Sequence, residues 1–206
     1  MSASYLALGD SYTIGEGVPA EGRWPMQLVA RLHGEGMAVD APVIVATTGW
    51  TTDELSSGID GARLAPHYTL VTLLIGVNNQ YRGRAASEYR EQFIALLGRA
   101  IALAGDPQRV VVISIPDWGV TAFAEGRDRA AIGSELDMYN AIGHDETVRA
   151  HARWVDITDI SRSAGAHKDM LVDDGLHPSA AQYALWTDRI LPAARAALKG
   201  VAACSD

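Results

Sequence analysis

A serine directly after a short apolar run, and a histidine three residues behind an aspartate near the other end, are the residues of this chain best placed to do chemistry. Gly9-Asp10-Ser11 follows Tyr5-Leu6-Ala7-Leu8, and Asp174-Gly175-Leu176-His177-Pro178 lies far downstream. A hydroxyl, an imidazole and a carboxylate supply a nucleophile, a base to take its proton and a group to orient the base. That is the minimum set for acyl transfer through a covalent intermediate.

Each half is weak alone. Gly-Asp-Ser after a strand also reads as a loop in which Asp10 or Ser11 caps a turn. Among the six histidines, His33, His67, His144, His151 and His167 have the surroundings of ordinary surface or loop positions. His177 differs because a residue before proline is pushed out of the helical region and should project from a loop. A four-residue turn brings Asp174 to the same side, so that one ring nitrogen meets the carboxylate while the other faces Ser11. The same residues also fit the plain decoration of a helix N-terminus.

Two more segments point to one site. Gly76-Val77-Asn78-Asn79 follows an apolar run, and an amide N–H of Asn78 there can donate to an oxyanion. In Thr47-Thr48-Gly49-Trp50-Thr51-Thr52, the missing Cβ of Gly49 lets its backbone N–H approach the same oxyanion. The alternatives are a turn closed by Asn78 and a turn before a helix capped by Thr51 or Thr52.

Positioning these groups requires a scaffold. Residues 5–8, 42–47, 68–75, 109–115 and 154–157 are short, continuously apolar runs, as expected of strands covered on both faces. Between them lie amphipathic stretches. The clearest is 87–104, with Tyr89, Phe93, Leu96, Leu97, Ala100 and Ile101 on one stripe, Ser87 as its N-cap and Gly105-Asp106-Pro107 as its stop. A last helix after Pro178 has Ser179 and Gln182 in capping-box spacing, with Tyr183, Trp186, Ile190 and Ala194 on its inner face. The alternation predicts an α/β fold, a three-layer α/β/α sandwich with a five-stranded parallel, flavodoxin-like sheet. Sites in such sheets form at the carboxyl ends of strands, where the first three segments fall, while Asp174–His177 lies just before the last helix. Residues 117–133, rich in glycine and charge, read as a loop over the site.

At 206 residues the chain is expected to form a single domain over 1–206. Its net charge of −8 argues against nucleic acid or an anionic membrane as main partner. Cys204, the one cysteine, cannot form an internal disulfide and reads as a free tail thiol. No run is long enough for stable membrane insertion, and the start of the chain lacks a basic region and an apolar signal core, so the expected compartment is cytoplasmic. The pattern leaves oligomeric state open.

Taken together, Gly9-Asp10-Ser11, Gly49, Gly76-x-Asn78 and Asp174-x-x-His177 resemble the SGNH, or GDSL-type, hydrolases in order and separation. The resemblance implies Ser11 as nucleophile, His177 as base and Asp174 as its orienting acid. It also implies an oxyanion hole made by the Ser11 and Gly49 backbone N–H groups and the Asn78 side chain. The implied activity is hydrolysis of a small-molecule carboxylic ester, with no metal or organic cofactor. Many members have aspartate after the block-three asparagine, where this chain has Asn79.

Trp50, Asn79, Gln80, Tyr81, Trp118 and Leu176 stand beside these positions and are candidates for a substrate pocket. With few long apolar loops, the site is expected to favour short acyl groups. Lysophospholipase, thioesterase and carbohydrate deacetylase activities of the same fold are alternatives. A phosphate- or nucleotide-binding module of flavodoxin type fits less well, because Asp10 and Glu16 would repel a phosphate and Asp174 and His177 would have no task. A G-x-S-x-G elbow is absent around Ser11, which sets the chain apart from the ordinary α/β-hydrolases.

Overall fold

Each of the five apolar runs becomes a parallel strand: β1 (Tyr5–Gly9), β2 (Val43–Ala46), β3 (Leu70–Leu74), β4 (Val110–Ile113) and β5 (Arg153–Val155). The computed structural model describes residues 2–199, and Cys204 lies outside them. The strands lie in the order β2-β1-β3-β4-β5. Every position of β1, β3 and β4 is buried, which is why these runs do not alternate with polar residues. The edge strands β2 and β5 are more exposed where they begin.

Among the described residues, eight α-helices flank the sheet: α1 (Ser11–Ile14), α2 (Trp24–Gly34), α3 (Thr52–Gly61), α4 (Val77–Tyr81), α5 (Ala86–Ala104), α6 (Arg129–Arg149), α7 (Thr158–Ala164) and α8 (Ala180–Lys199). α2 packs on α8, which covers β3, β4 and β5, while α3, α5 and α6 pack in succession, with α5 against β3 and β4. These are the outer layers of the expected three-layer sandwich. The predicted inner face of α8 is buried at Tyr183, Trp186, Ile190 and Ala194, and that of α5 at Tyr89, Phe93, Leu96, Leu97 and Ala100.

The helix ends differ from expectation. α5 starts before Ser87, with Ala85 at the N-cap and no side-chain cap. Its start is set from outside: Arg84 bonds Asp53 and Glu88, and the Tyr139 hydroxyl donates to the Arg84 carbonyl at 2.6 Å. At α8 only half of the capping box forms. Ser179 Oγ accepts from the Gln182 N–H at 3.4 Å. The Gln182 amide and the Ser179 N–H instead both donate to the Met170 carbonyl at 2.8 Å, tying the helix to the preceding loop. The loop predicted over 117–133 ends at Asp128, which caps α6 through the Ala131 N–H, and it contains two short 3-10 turns.

β1 pairs with β2 on one side and β3 on the other. The order of winding reverses between β1 and β3, so the loops after these two strands leave toward opposite faces and a crevice opens at their carboxyl ends.

Candidate active site

Ser11 opens the one-turn helix α1 immediately beyond β1. The buried Asp10 is its N-cap, its Oδ1 accepting from the Tyr12 N–H at 3.0 Å. Tyr12 turns inward, its ring 5.6 Å from that of His177 and 6.0 Å from Trp186. The last helix therefore supports the histidine through Tyr12. Ser11 and His177 are both nearly buried and both line one cleft of about 170 Å³.

The loop before α8 is shaped to present His177. Gly175 has φ +68°, a left-handed turn that a Cβ would strain. The Val172 N–H donates to the His177 carbonyl at 2.9 Å, and the Phe123 N–H donates to the Gly175 carbonyl at 3.0 Å. Inside this frame Asp174 Oδ1 accepts from the backbone N–H groups of Leu176 and His177, while Oδ2 meets His177 Nδ1 at 2.6 Å. Partial burial pushes the Asp174 carboxyl up. The hydrogen bonds from the His177 ring and the two amides, with the attraction of His177, outweigh it and hold the group below its ordinary range. It is thus an ionised acceptor at neutral pH. No hydrogen bond joins Ser11 Oγ to His177 among the described residues, and such contacts commonly tighten only around substrate.

Ser11, Gly49 and Asn78 line the same cleft. Gly49, at φ +86° after β2, brings its backbone to the cleft wall, and the Asn78 amide donates to the Trp50 carbonyl at 2.9 Å. That bond fixes the amide and leaves its second N–H available. Neither the Ser11 nor the Gly49 N–H has another backbone acceptor among the described residues.

A scan against family models matches residues 7–185 to the GDSL-like Lipase/Acylhydrolase family. The chain belongs to this family. No curated protein matches it by sequence. Among solved structures it is similar to TesA, with TM-score 0.74, 19% identity, and coverage of 95% of this chain and 99% of that one. It is also similar to the psychrotrophic esterase EstA from Pseudoalteromonas sp., with TM-score 0.70, 17% identity, and coverage of 96% and 100%. The acetylxylan esterase from Geobacillus stearothermophilus gives TM-score 0.74, 17% identity, and coverage of 93% and 94%. At these identities the structural likenesses speak for the fold. The family match carries the class: a hydrolase acting on esters.

Around the motif residues, the wall of this GDSL hydrolase differs from its sequence expectation. Tyr81, Trp118 and Leu176 line the cleft, together with Tyr12, Thr48, Val77 and Phe123. Trp50 and Asn79 do not. The Trp50 ring lies over Gly58 of α3, in the space a Cβ there would fill. Asn79 is fully buried, accepting from the Thr52 N–H at 3.1 Å and donating to Thr52 Oγ1 at 2.7 Å. The Thr52 hydroxyl gives its own proton to Gln92, so it needs a donor from position 79, which an amide supplies and a carboxylate does not. Gln80 stands behind the wall, accepting from Trp118 Nε1 at 2.9 Å and donating to Glu135 at 2.6 Å. Among the described residues no group of three or more His, Cys, Asp or Glu side chains has metal-binding geometry, and no helix is long and apolar enough to cross a membrane.

Proposed function

We propose that this protein hydrolyses carboxylic esters of short acyl groups, with Ser11 as nucleophile, His177 as general base and acid, and Asp174 as orienting acid. The observation that carries the reading is the 2.6 Å Asp174–His177 pair, facing the cleft that Ser11 also lines. With Nδ1–H held by Asp174, Nε2 is the free base of the ring. It takes the Ser11 proton as Oγ attacks the ester carbonyl, and the ionised Asp174 stabilises the imidazolium. The Ser11 and Gly49 N–H groups and the free N–H of Asn78 receive the charge developing on the carbonyl oxygen. The imidazolium then protonates the leaving alcohol; water, deprotonated by the same nitrogen, attacks the acyl carbon, and the acid leaves as the imidazolium returns its proton to Ser11 Oγ.

The cleft volume of about 170 Å³ is close to the ~150 Å³ of an engineered apolar cavity that admits one benzene ring. That suits an acetyl to butyryl chain better than a long one. The small acyl group in the name of the acetylxylan esterase neighbour is in keeping with this size. Turnover of p-nitrophenyl esters across acyl lengths, in wild type and Ser11→Ala, tests the reading. Short esters should be hydrolysed fastest, and activity should collapse in the variant. Higher kcat/KM for long esters would refute the acyl preference, and equal activity in both proteins would refute the nucleophile.

A further inference from the structure

The cleft has an aromatic wall made by residues from two distant segments. Tyr81 ends α4, while Trp118 and Phe123 belong to the two 3-10 turns after β4. Ring centroids stand 5.4 Å apart for Tyr81–Trp118, 6.0 Å for Trp118–Phe123 and 6.3 Å for Tyr81–Phe123. The three rings are held very unequally. Trp118 is 3% exposed and pinned by Gln80, whereas Tyr81 is 46% and Phe123 39% exposed. A half-exposed ring has few neighbours to fix its rotamer, yet both line the cleft.

What joins them is Arg127. Its guanidinium carbon lies 5.2 Å from the Tyr81 ring centroid and 5.3 Å from those of Trp118 and Phe123. Its Nη2 donates to the Tyr81 hydroxyl at 3.2 Å, and its backbone N–H to the Ala124 carbonyl at 3.1 Å. Asp128 and Glu135 share the groove behind the wall with Arg127. Even so, Arg127 forms no ion pair among the described residues, while Arg82, Arg84 and Arg162 around the same loops all do. A guanidinium that passes over nearby carboxylates to lie on three rings is placed to hold rings.

We propose that Arg127 is the latch of this wall, a positioning residue that keeps Tyr81 and Phe123 standing over the cleft and so sets the acyl length it accepts. The proposal rests on the reading of the cleft as an acyl site. Without the guanidinium, the two half-exposed rings are free to swing outward into solvent. The cleft lengthens, and discrimination against longer chains falls. One cation–π contact at an exposed site corresponds to a factor of roughly two to five. Three contacts sharing one cation should therefore shift the long-to-short preference on the order of tenfold.

The test compares Arg127→Gln and Arg127→Lys with wild type on p-nitrophenyl butyrate and octanoate. Butyrate and octanoate binding is followed in parallel by NMR titration in a Ser11→Ala background. Arg127→Gln should raise the octanoate-to-butyrate ratio about tenfold in kcat/KM and in affinity, while Arg127→Lys, which keeps the charge but loses the planar face, should raise it by a smaller factor. An unchanged ratio in folded Arg127→Gln overturns the latch. So does an equal loss of affinity for butyrate and octanoate, which would mark Arg127 as a site for their carboxylate. If wild type hydrolyses neither ester, a shifted binding ratio still upholds the latch and places the failure in the hydrolase reading. Absence of any binding overturns the latch as well.

Discussion

Asp10 is a carboxyl in a place that disfavours its charge, and replacing it by asparagine should stabilise the protein in a pH-dependent way. The side chain is fully buried. Oδ1 accepts from the Tyr12 N–H, and Oδ2 has no hydrogen-bond partner among the described residues. Burial, only partly offset by backbone hydrogen bonds, pushes its pKa from 3.8 to about 7. The phenols of Tyr12, Tyr89 and Tyr183 nearby are pushed up as well, so they stay neutral and add no charge. Well below pH 3.8 both native and unfolded chains hold the Asp10 proton, and the group contributes nothing. Between 3.8 and about 7 the unfolded chain has released the proton and the native chain has not. Native protein then binds more protons, and stability falls as pH rises. Above that window the penalty is constant, at about 4 kcal/mol if each tenfold is worth 1.36 kcal/mol.

Asp10→Asn keeps the Oδ1 acceptor for Tyr12 and resembles the protonated acid in charge and shape. The variant should therefore match wild type near pH 4 and exceed it at pH 8. For a chain of this size, about 4 kcal/mol corresponds to roughly 8–16 °C in Tm. Thermal melts of both proteins from pH 4 to 8.5 measure the difference directly, and subtraction removes the titration of all other groups. A Tm difference that does not change with pH would refute the reasoning, since Asp10 would then ionise in the native state as readily as in the unfolded one.

Three further substitutions probe the cleft and its support. Asn78→Ala should lower kcat by about 10²–10³ with KM changed little, because the amide acts on charge present only in the transition state; a pure rise in KM would contradict this. Asp174→Asn should lower kcat by up to about 10⁴ through loss of the ionised partner of His177 Nδ1, with the fold intact by circular dichroism. A change under threefold would remove Asp174 from the mechanism. Asn79→Asp should destabilise by about 2 kcal/mol or more at pH 8 and less at pH 4, since it buries a carboxylate beside an acceptor; equal Tm values to wild type at pH 8 would contradict the hydrogen-bond assignment.

Much of the scaffold was legible because burial on both faces leaves an unambiguous mark. β1, β3 and β4 are continuous apolar runs for that reason, and the parallel sheet follows from their alternation with amphipathic helices. Asp174 and His177 were legible too, because proline after His177 and a four-residue spacing define a turn. Adjacency was a poorer guide to what lines the cleft. Successive residues on a helix point about 100° apart at 3.6 residues per turn. On α4, Asn78 and Tyr81, three residues apart, therefore share the cleft face, while Asn79 turns into the core. Phe123 reaches the wall through a loop whose path no periodicity encodes. Tyr12 was hidden differently, since its role depends on α8 passing behind it. The Ser87 cap and the full capping box at Ser179 failed because tertiary hydrogen bonds from Tyr139 and to Met170 set those helix ends instead.

Covalent acylation of Ser11 is open to trapping by a phosphonate that mimics the tetrahedral intermediate. The structure of the EstA neighbour was obtained inhibited by monoethylphosphonate. Wild type treated with a p-nitrophenyl ethylphosphonate ester should gain one adduct by intact mass, map to the peptide containing Ser11, and lose ester hydrolysis in the same proportion. Ser11→Ala should gain none. An adduct on another residue, or full hydrolysis by the Ser11→Ala variant, would contradict the account.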